Sequence, residues 1–180
     1  MESWASMAER AAQAGYLALT FDYRAWRGGG QFELEQLNQA DVDLLAAADF
    51  ARSEGAQAIA LVGASLGGIA SVKDTAAIAP AALIVIGSPM GNPALIIKVE
   101  PAELQNSVPK LFIASEADTL APAAETRRMC ELADEPKTYF EYAGSAHGTD
   151  LFLGPSAADL AQKLLDFLQA HAPAQAAPGL

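Results

Sequence analysis

Apolar positions along the first third of the chain recur at helical spacing, then as a continuous run, then at helical spacing again. Trp4, Met7, Ala8 and Ala11 share one face of a helix predicted over residues 3–14, and Gly15 stands just past its end, where a left-handed cap belongs. The run from Tyr16 to Asp22 is apolar and partly β-prone, so it predicts a strand, followed by an exposed loop over residues 24–30. Residues 33–54 gather Leu34, Leu37, Leu44, Leu45 and Ala48 on one face, a second helix closed by Gly55.

The alternation then continues. Strands are predicted at 58–62, 82–86, 110–114 and 138–142, helices at 66–79 and 123–133, and an irregular stretch at 88–108. A last helix starts at Ser156, with Asp159 as a capping-box partner, and turns Leu160, Leu164, Leu165 and Leu168 inward. Near-continuously apolar strands alternating with helices predict an α/β fold: a mostly parallel sheet of about five strands with helices on both faces. One domain is expected over residues 1–171, with a disordered Ala, Pro, Gln and Gly tail over 172–180.

Composition narrows the partners. Of the 180 residues, 52% are apolar and 18% charged, the balance of a chain with a packed core. The net charge of −11, with no cluster of Lys or Arg, disfavours nucleic acid and anionic membrane surfaces and suits a neutral or cationic substrate, with a small neutral ester expected. No apolar run approaches the roughly 20 residues of a membrane span. Cys130 is the single cysteine and no signal peptide is visible, so a cytoplasmic location is expected. No metal-ligand spacing occurs, and the glycines at 28–30 lack the lysine and hydroxyl of a phosphate loop, so no cofactor is implied.

The candidate chemistry sits at strand ends. Gly63-Ala-Ser-Leu-Gly67 fits G-x-S-x-G between a strand and a helix, a turn that presents Ser65 as a nucleophile. A serine nucleophile needs a base, and of the two histidines His147 lies in the loop after the last strand, whereas His171 falls at the end of the last helix. A carboxylate must orient that base, and both Asp118 and Glu116 follow the strand at 110–114.

With Ala14 to Arg24, Val62 to Gly68, Ile113 to Asp118 and Gly144 to Gly148, the chain resembles the α/β-hydrolase superfamily, particularly its small esterase-like and dienelactone-hydrolase-like members. The resemblance implies Asp118 rather than Glu116 as the acid, and serine in place of the cysteine of dienelactone hydrolases favours the esterase branch. It also implies about three earlier strands and a loop that supplies an oxyanion amide, and the chain begins after the position of that loop. The backbone N–H of Leu66 is then the one assignable oxyanion donor, slow hydrolysis is expected, and a homodimer or higher oligomer is expected to cover the sheet edge left open. Trp26 and Met90 are candidate substrate contacts. The expected reaction is hydrolysis of short-chain carboxylic esters; the alternatives are a degenerate domain that only binds a small molecule or partner, and cleavage of thioester, lactone or carbon–carbon bonds.

Overall fold

The computed structural model describes residues 2–27 and 31–174. Its centre is a parallel sheet of four strands, β3 (Ala60–Ala64), β4 (Ala82–Ile86), β5 (Lys110–Ser115) and β6 (Lys137–Tyr142), lying in sequence order. Register runs Leu61 to Leu83, Leu83 to Lys110 and Lys110 to Lys137, so all four carboxyl ends reach the same edge. The side-chain period of two splits β4 between two cores. Leu83 and Val85 face Leu44, Ala48, Ile69 and Met129 from α2 (Ala40–Ser53), α3 (Leu66–Lys73) and α5 (Ala123–Leu132). Ile84 and Ile86 face Met7 from α1 (Ala5–Gln13) and Leu160, Leu164 and Leu168 from α6 (Ala157–His171).

Several expectations change. The strand predicted at residues 16–22 is not formed, and the sheet begins at β3, which among the described residues pairs with β4 alone. β-prone composition supplies side chains that suit a sheet but no partner backbone. Phe21 packs on the core, while Leu17 and Leu19 stay exposed. The helix predicted from residue 33 starts as a 3-10 turn (Leu34–Gln39), with Leu34 exposed. Within the stretch 24–30 expected as loop, Trp26–Arg27 form β1, which pairs antiparallel with β2 (Gln31–Phe32), and residues 28–30 lie outside the described residues.

The helix predicted over 66–79 breaks at Asp74 into α3 and α4 (Thr75–Ile78). Ser71 Oγ donates to the Gly67 carbonyl at 2.7 Å and Thr75 Oγ1 to the Ser71 carbonyl at 2.9 Å, back-bonds that bend helices. Asp74 is buried there with Oδ2 unpartnered, and burial first, then the charge of Asp41, pushes its pKa up to about 7. The capping box expected at Ser156 is absent, since Ser156 makes no side-chain cap bond and the Asp159 carboxylate accepts from Tyr142 Oη at 2.6 Å instead. Residues 175–180 of the expected tail lie outside the described residues.

Candidate active site

The β3 strand ends at Ala64 and turns into α3 through Ser65, which holds φ 51° and ψ −121°. That conformation is sparsely populated for any residue with a side chain, and it lifts the hydroxyl out of the sheet's carboxyl edge. The turn closes only because its neighbours lack side chains. A Cβ on Gly63 would stand 2.2 Å from the Gly67 carbonyl oxygen, and one on Gly68 would stand 1.9 Å from Ser88 Oγ. Leu66 is the first residue of α3, so its amide lies at the positive end of the helix with no acceptor a turn earlier.

The loops after β5 and β6 bring two further side chains to this turn. His147 Nε2 lies 2.9 Å from Ser65 Oγ, and Nδ1 lies 2.8 Å from Asp118 Oδ2. The Asp118 side chain is 1% exposed, and its other oxygen accepts from the amides of Leu120 at 2.9 Å and Ala121 at 3.0 Å. With the Asp118 carboxylate accepting a hydrogen bond from Nδ1–H, the Nε2 lone pair faces the Ser65 hydroxyl. Glu116, the competing carboxylate, is exposed and does not meet the ring.

Buried hydroxyls that the sequence reading did not single out hold this geometry. Ser88 Oγ donates to the Ser65 carbonyl at 2.8 Å; the Ser88 amide donates to Thr126 Oγ1 at 3.2 Å, and Thr126 Oγ1 donates to the Ser88 carbonyl at 2.9 Å. Ser115 Oγ donates to the carbonyl of Ala146, the residue before His147, at 2.5 Å. The amides of Glu116 and Ala117 donate to the carbonyls of Tyr142 and Gly144, which zips the loop of Asp118 to the loop of His147. A hydroxyl residue at the end of an otherwise apolar strand, as in Ile86-Gly-Ser88 and Ala114-Ser115, is the sequence signal for such posts, because a buried polar group needs a partner.

The other candidates lie apart from this line. Trp26 is exposed, its ring 4.6 Å from that of Phe32, and Met90 packs partly buried against the core of the α2 side. His171 is exposed at the end of α6. Cys130 is buried, and burial pushes its thiol pKa up. Clefts of about 350 and 240 Å3 lie beside α2 and beside α3 and α4, and none of Ser65, Asp118 and His147 lines them. Among the described residues no group of three or more His, Cys, Asp or Glu is placed to hold a metal ion, and no helix is long and apolar enough to cross a membrane.

The family model described as "Alpha/beta hydrolase family" matches residues 1–179. The chain belongs to this family. No curated protein matches it. Among solved structures, the esterase domain of a Rhodothermus marinus protein is similar to this α/β hydrolase with a TM-score of 0.73 and 19% identity, over 94% of this chain and 81% of that one. A monoacylglycerol lipase from Paleococcus ferrophilus gives 0.74 and 14% over 95% and 90%. A serine hydrolase without a lid from Xanthomonas campestris gives 0.67 and 22% over 95% and 74%. At these identities the likeness is one of fold.

Proposed function

We propose that this α/β hydrolase is a carboxylic ester hydrolase that acts on small, short-chain neutral esters through an acyl-enzyme on Ser65. The observation that carries the reading is the unbroken line of hydrogen bonds from Ser65 Oγ through His147 to a buried Asp118 that is anchored by two amides. In this reading Ser65 Oγ attacks the ester carbonyl while His147 Nε2 takes its proton. Asp118 stabilises the resulting imidazolium, and the Leu66 amide at the start of α3 binds the developing oxyanion. The imidazolium then protonates the departing alkoxide, and a water activated by the same ring releases the acid.

A second reading rests on the oxyanion site. Leu66 is the one donor assigned there, and loss of a donor costs roughly 10² to 10³ in rate, so a domain that binds without turning over is the rival. The sheet edge at β3 and the exposed Leu17 and Leu19 favour self-association through that side, which sedimentation tests. Hydrolysis of p-nitrophenyl acetate and butyrate by wild type and Ser65→Ala, side by side, decides between catalyst and binder. The reading expects slow turnover that Ser65→Ala abolishes; equal rates for both proteins refute it.

A further inference from the structure

Residues 90–99, which follow the carboxyl end of β4, fold into a short strap. Its ends are joined where the Val99 amide donates to the Met90 carbonyl at 2.7 Å and Gly91 bridges antiparallel to Lys98. The turn at its tip is closed by Asn92, whose Oδ1 accepts from the Ala94 amide at 2.8 Å and whose carbonyl accepts from the Leu95 amide at 2.9 Å. Along the returning arm the side chains alternate. Leu95, Ile97 and Val99 pack on the core beside α2 and α3, while Ile96 and Lys98 face solvent.

The strap starts at the turn that carries Ser65. Ser88 Oγ donates to the Ser65 carbonyl at 2.8 Å, and Met90 follows two residues on, a reach of at most about 7 Å. Met90, Leu95 and Leu66, the residue after Ser65, are all half-buried against the same core. Pro89 and Met90 therefore form an apolar wall beside that turn, still partly open to solvent.

The returning arm is held from outside the strap. Asn38 Oδ1 accepts from the amides of Ile96 at 2.7 Å and Ile97 at 3.2 Å, which joins segments 58 residues apart in the chain. Asn38 is half-buried in the 3-10 turn that leads into α2. An apolar side chain in its place would leave both amides without this acceptor. We propose that Asn38 determines acyl specificity: by clamping the strap down, it holds the Met90 wall close to Ser65 and restricts the site to short acyl chains. The proposal rests on the ester-hydrolase reading and deepens it. Asn38 acts through the strap, so it is a positioning residue.

The test compares kcat/KM on dissolved p-nitrophenyl butyrate and octanoate for wild type, Asn38→Ala, Asn38→Asp and Met90→Ala, all in the full chain. Wild type is expected to favour butyrate by about tenfold or more, the discrimination that surplus methylenes give at a closed wall. Asn38→Ala should cut that preference several-fold through a lower KM for octanoate, with kcat on butyrate little changed. Aspartate matches asparagine in shape and its carboxylate accepts both amides, so Asn38→Asp should keep the wild-type preference. Met90→Ala trims the wall without touching the clamp and should shift the preference as Asn38→Ala does. Hydrogen exchange reads the clamp itself: peptides covering Ile96 and Ile97 should exchange roughly tenfold faster in Asn38→Ala, from the loss of two hydrogen bonds, and at the wild-type rate in Asn38→Asp. Unchanged exchange in Asn38→Ala overturns the clamp. Faster exchange with an unchanged preference overturns its role in specificity, as does a loss of preference in Asn38→Asp as large as in Asn38→Ala. Should Asn38→Ala not fold, Met90→Ala decides, and a wild-type preference there overturns the proposal. A wild type that hydrolyses both esters equally well refutes the proposal alone; one that hydrolyses neither refutes the ester-hydrolase reading, and the proposal with it.

Discussion

Replacing Thr126 by valine tests whether the buried hydroxyl pair behind Ser65 holds the turn. Valine matches threonine in shape, so it opens no cavity, and both residues 88 and 126 are fully buried. The substitution removes two hydrogen bonds, the 2.9 Å donation to the Ser88 carbonyl and the 3.2 Å acceptance from the Ser88 amide. A typical hydrogen bond contributes about 1 kcal/mol net, and a buried donor left unmade costs about 1 to 3 kcal/mol. The expected loss is therefore about 2 to 3 kcal/mol, a fall of roughly 5 to 10 °C in Tm for a chain of this size. Thr126→Ser keeps both bonds and deletes a methyl group, which costs about 1 kcal/mol. The Ser88 hydroxyl contacts the Ser65 carbonyl itself, so displacement of Ser88 reaches the proposed nucleophile, where misplacement by 1 Å costs up to about 10² in rate. Thermal melts and the rate of fluorophosphonate labelling, measured on both variants, separate the effects. Thr126→Val should fall below Thr126→Ser in Tm and label at least several-fold more slowly; a valine variant as stable and as reactive as the serine variant refutes the argument.

Three further outcomes follow from the same geometry. Gly68→Ala drives a Cβ to 1.9 Å from Ser88 Oγ and should strongly impair folding or labelling; adding Ser88→Gly, which removes the opposing hydroxyl, should recover part of the loss in the same assay. Asp74 has a folded pKa raised to about 7, above its ordinary 3.8, so the folded state holds that proton more tightly than the unfolded chain. Its contribution to stability is therefore fully present below about 3.8 and is lost as pH rises toward and through 7. Asp74→Asn should raise Tm more at pH 8 than at pH 5, and a gain independent of pH counts against the buried carboxyl as the cause. Ser115→Ala removes the 2.5 Å bond to the Ala146 carbonyl and should lower kcat by about tenfold with KM little changed, because it loosens His147 rather than a substrate contact; steady-state kinetics on p-nitrophenyl butyrate separate the two.

The parts of the fold that were legible in the sequence are those whose pattern has one physical solution. Ala82–Ile86 is covered on both faces, so it reads as an unbroken apolar run, and the loops after β3, β5 and β6 carried Ser65, Asp118 and His147 in an order that brings them to one edge. The choice of Asp118 over Glu116 came from family resemblance. The fold explains it through the amides of Leu120 and Ala121, which hold Asp118 inward while Glu116 faces solvent. Three of the misses share a cause, in that the deciding partner, present or missing, is distant in sequence. Tyr16 to Asp22 has strand composition but joins no ladder among the described residues, and Asp159 bonds to Tyr142 rather than to its own helix start. Ser88 and Thr126 are 38 residues apart, and local periodicity does not reveal that pairing.

The central claim is that Ser65 forms a covalent acyl intermediate, and intact-protein mass spectrometry with peptide mapping addresses it directly. After brief exposure to p-nitrophenyl butyrate and acid quench, or to a fluorophosphonate, the account predicts one adduct per chain on the peptide containing Ser65, absent in Ser65→Ala and formed far more slowly in His147→Ala. Turnover with no adduct on that peptide, or labelling of Ser65→Ala to the same extent as wild type, would contradict it.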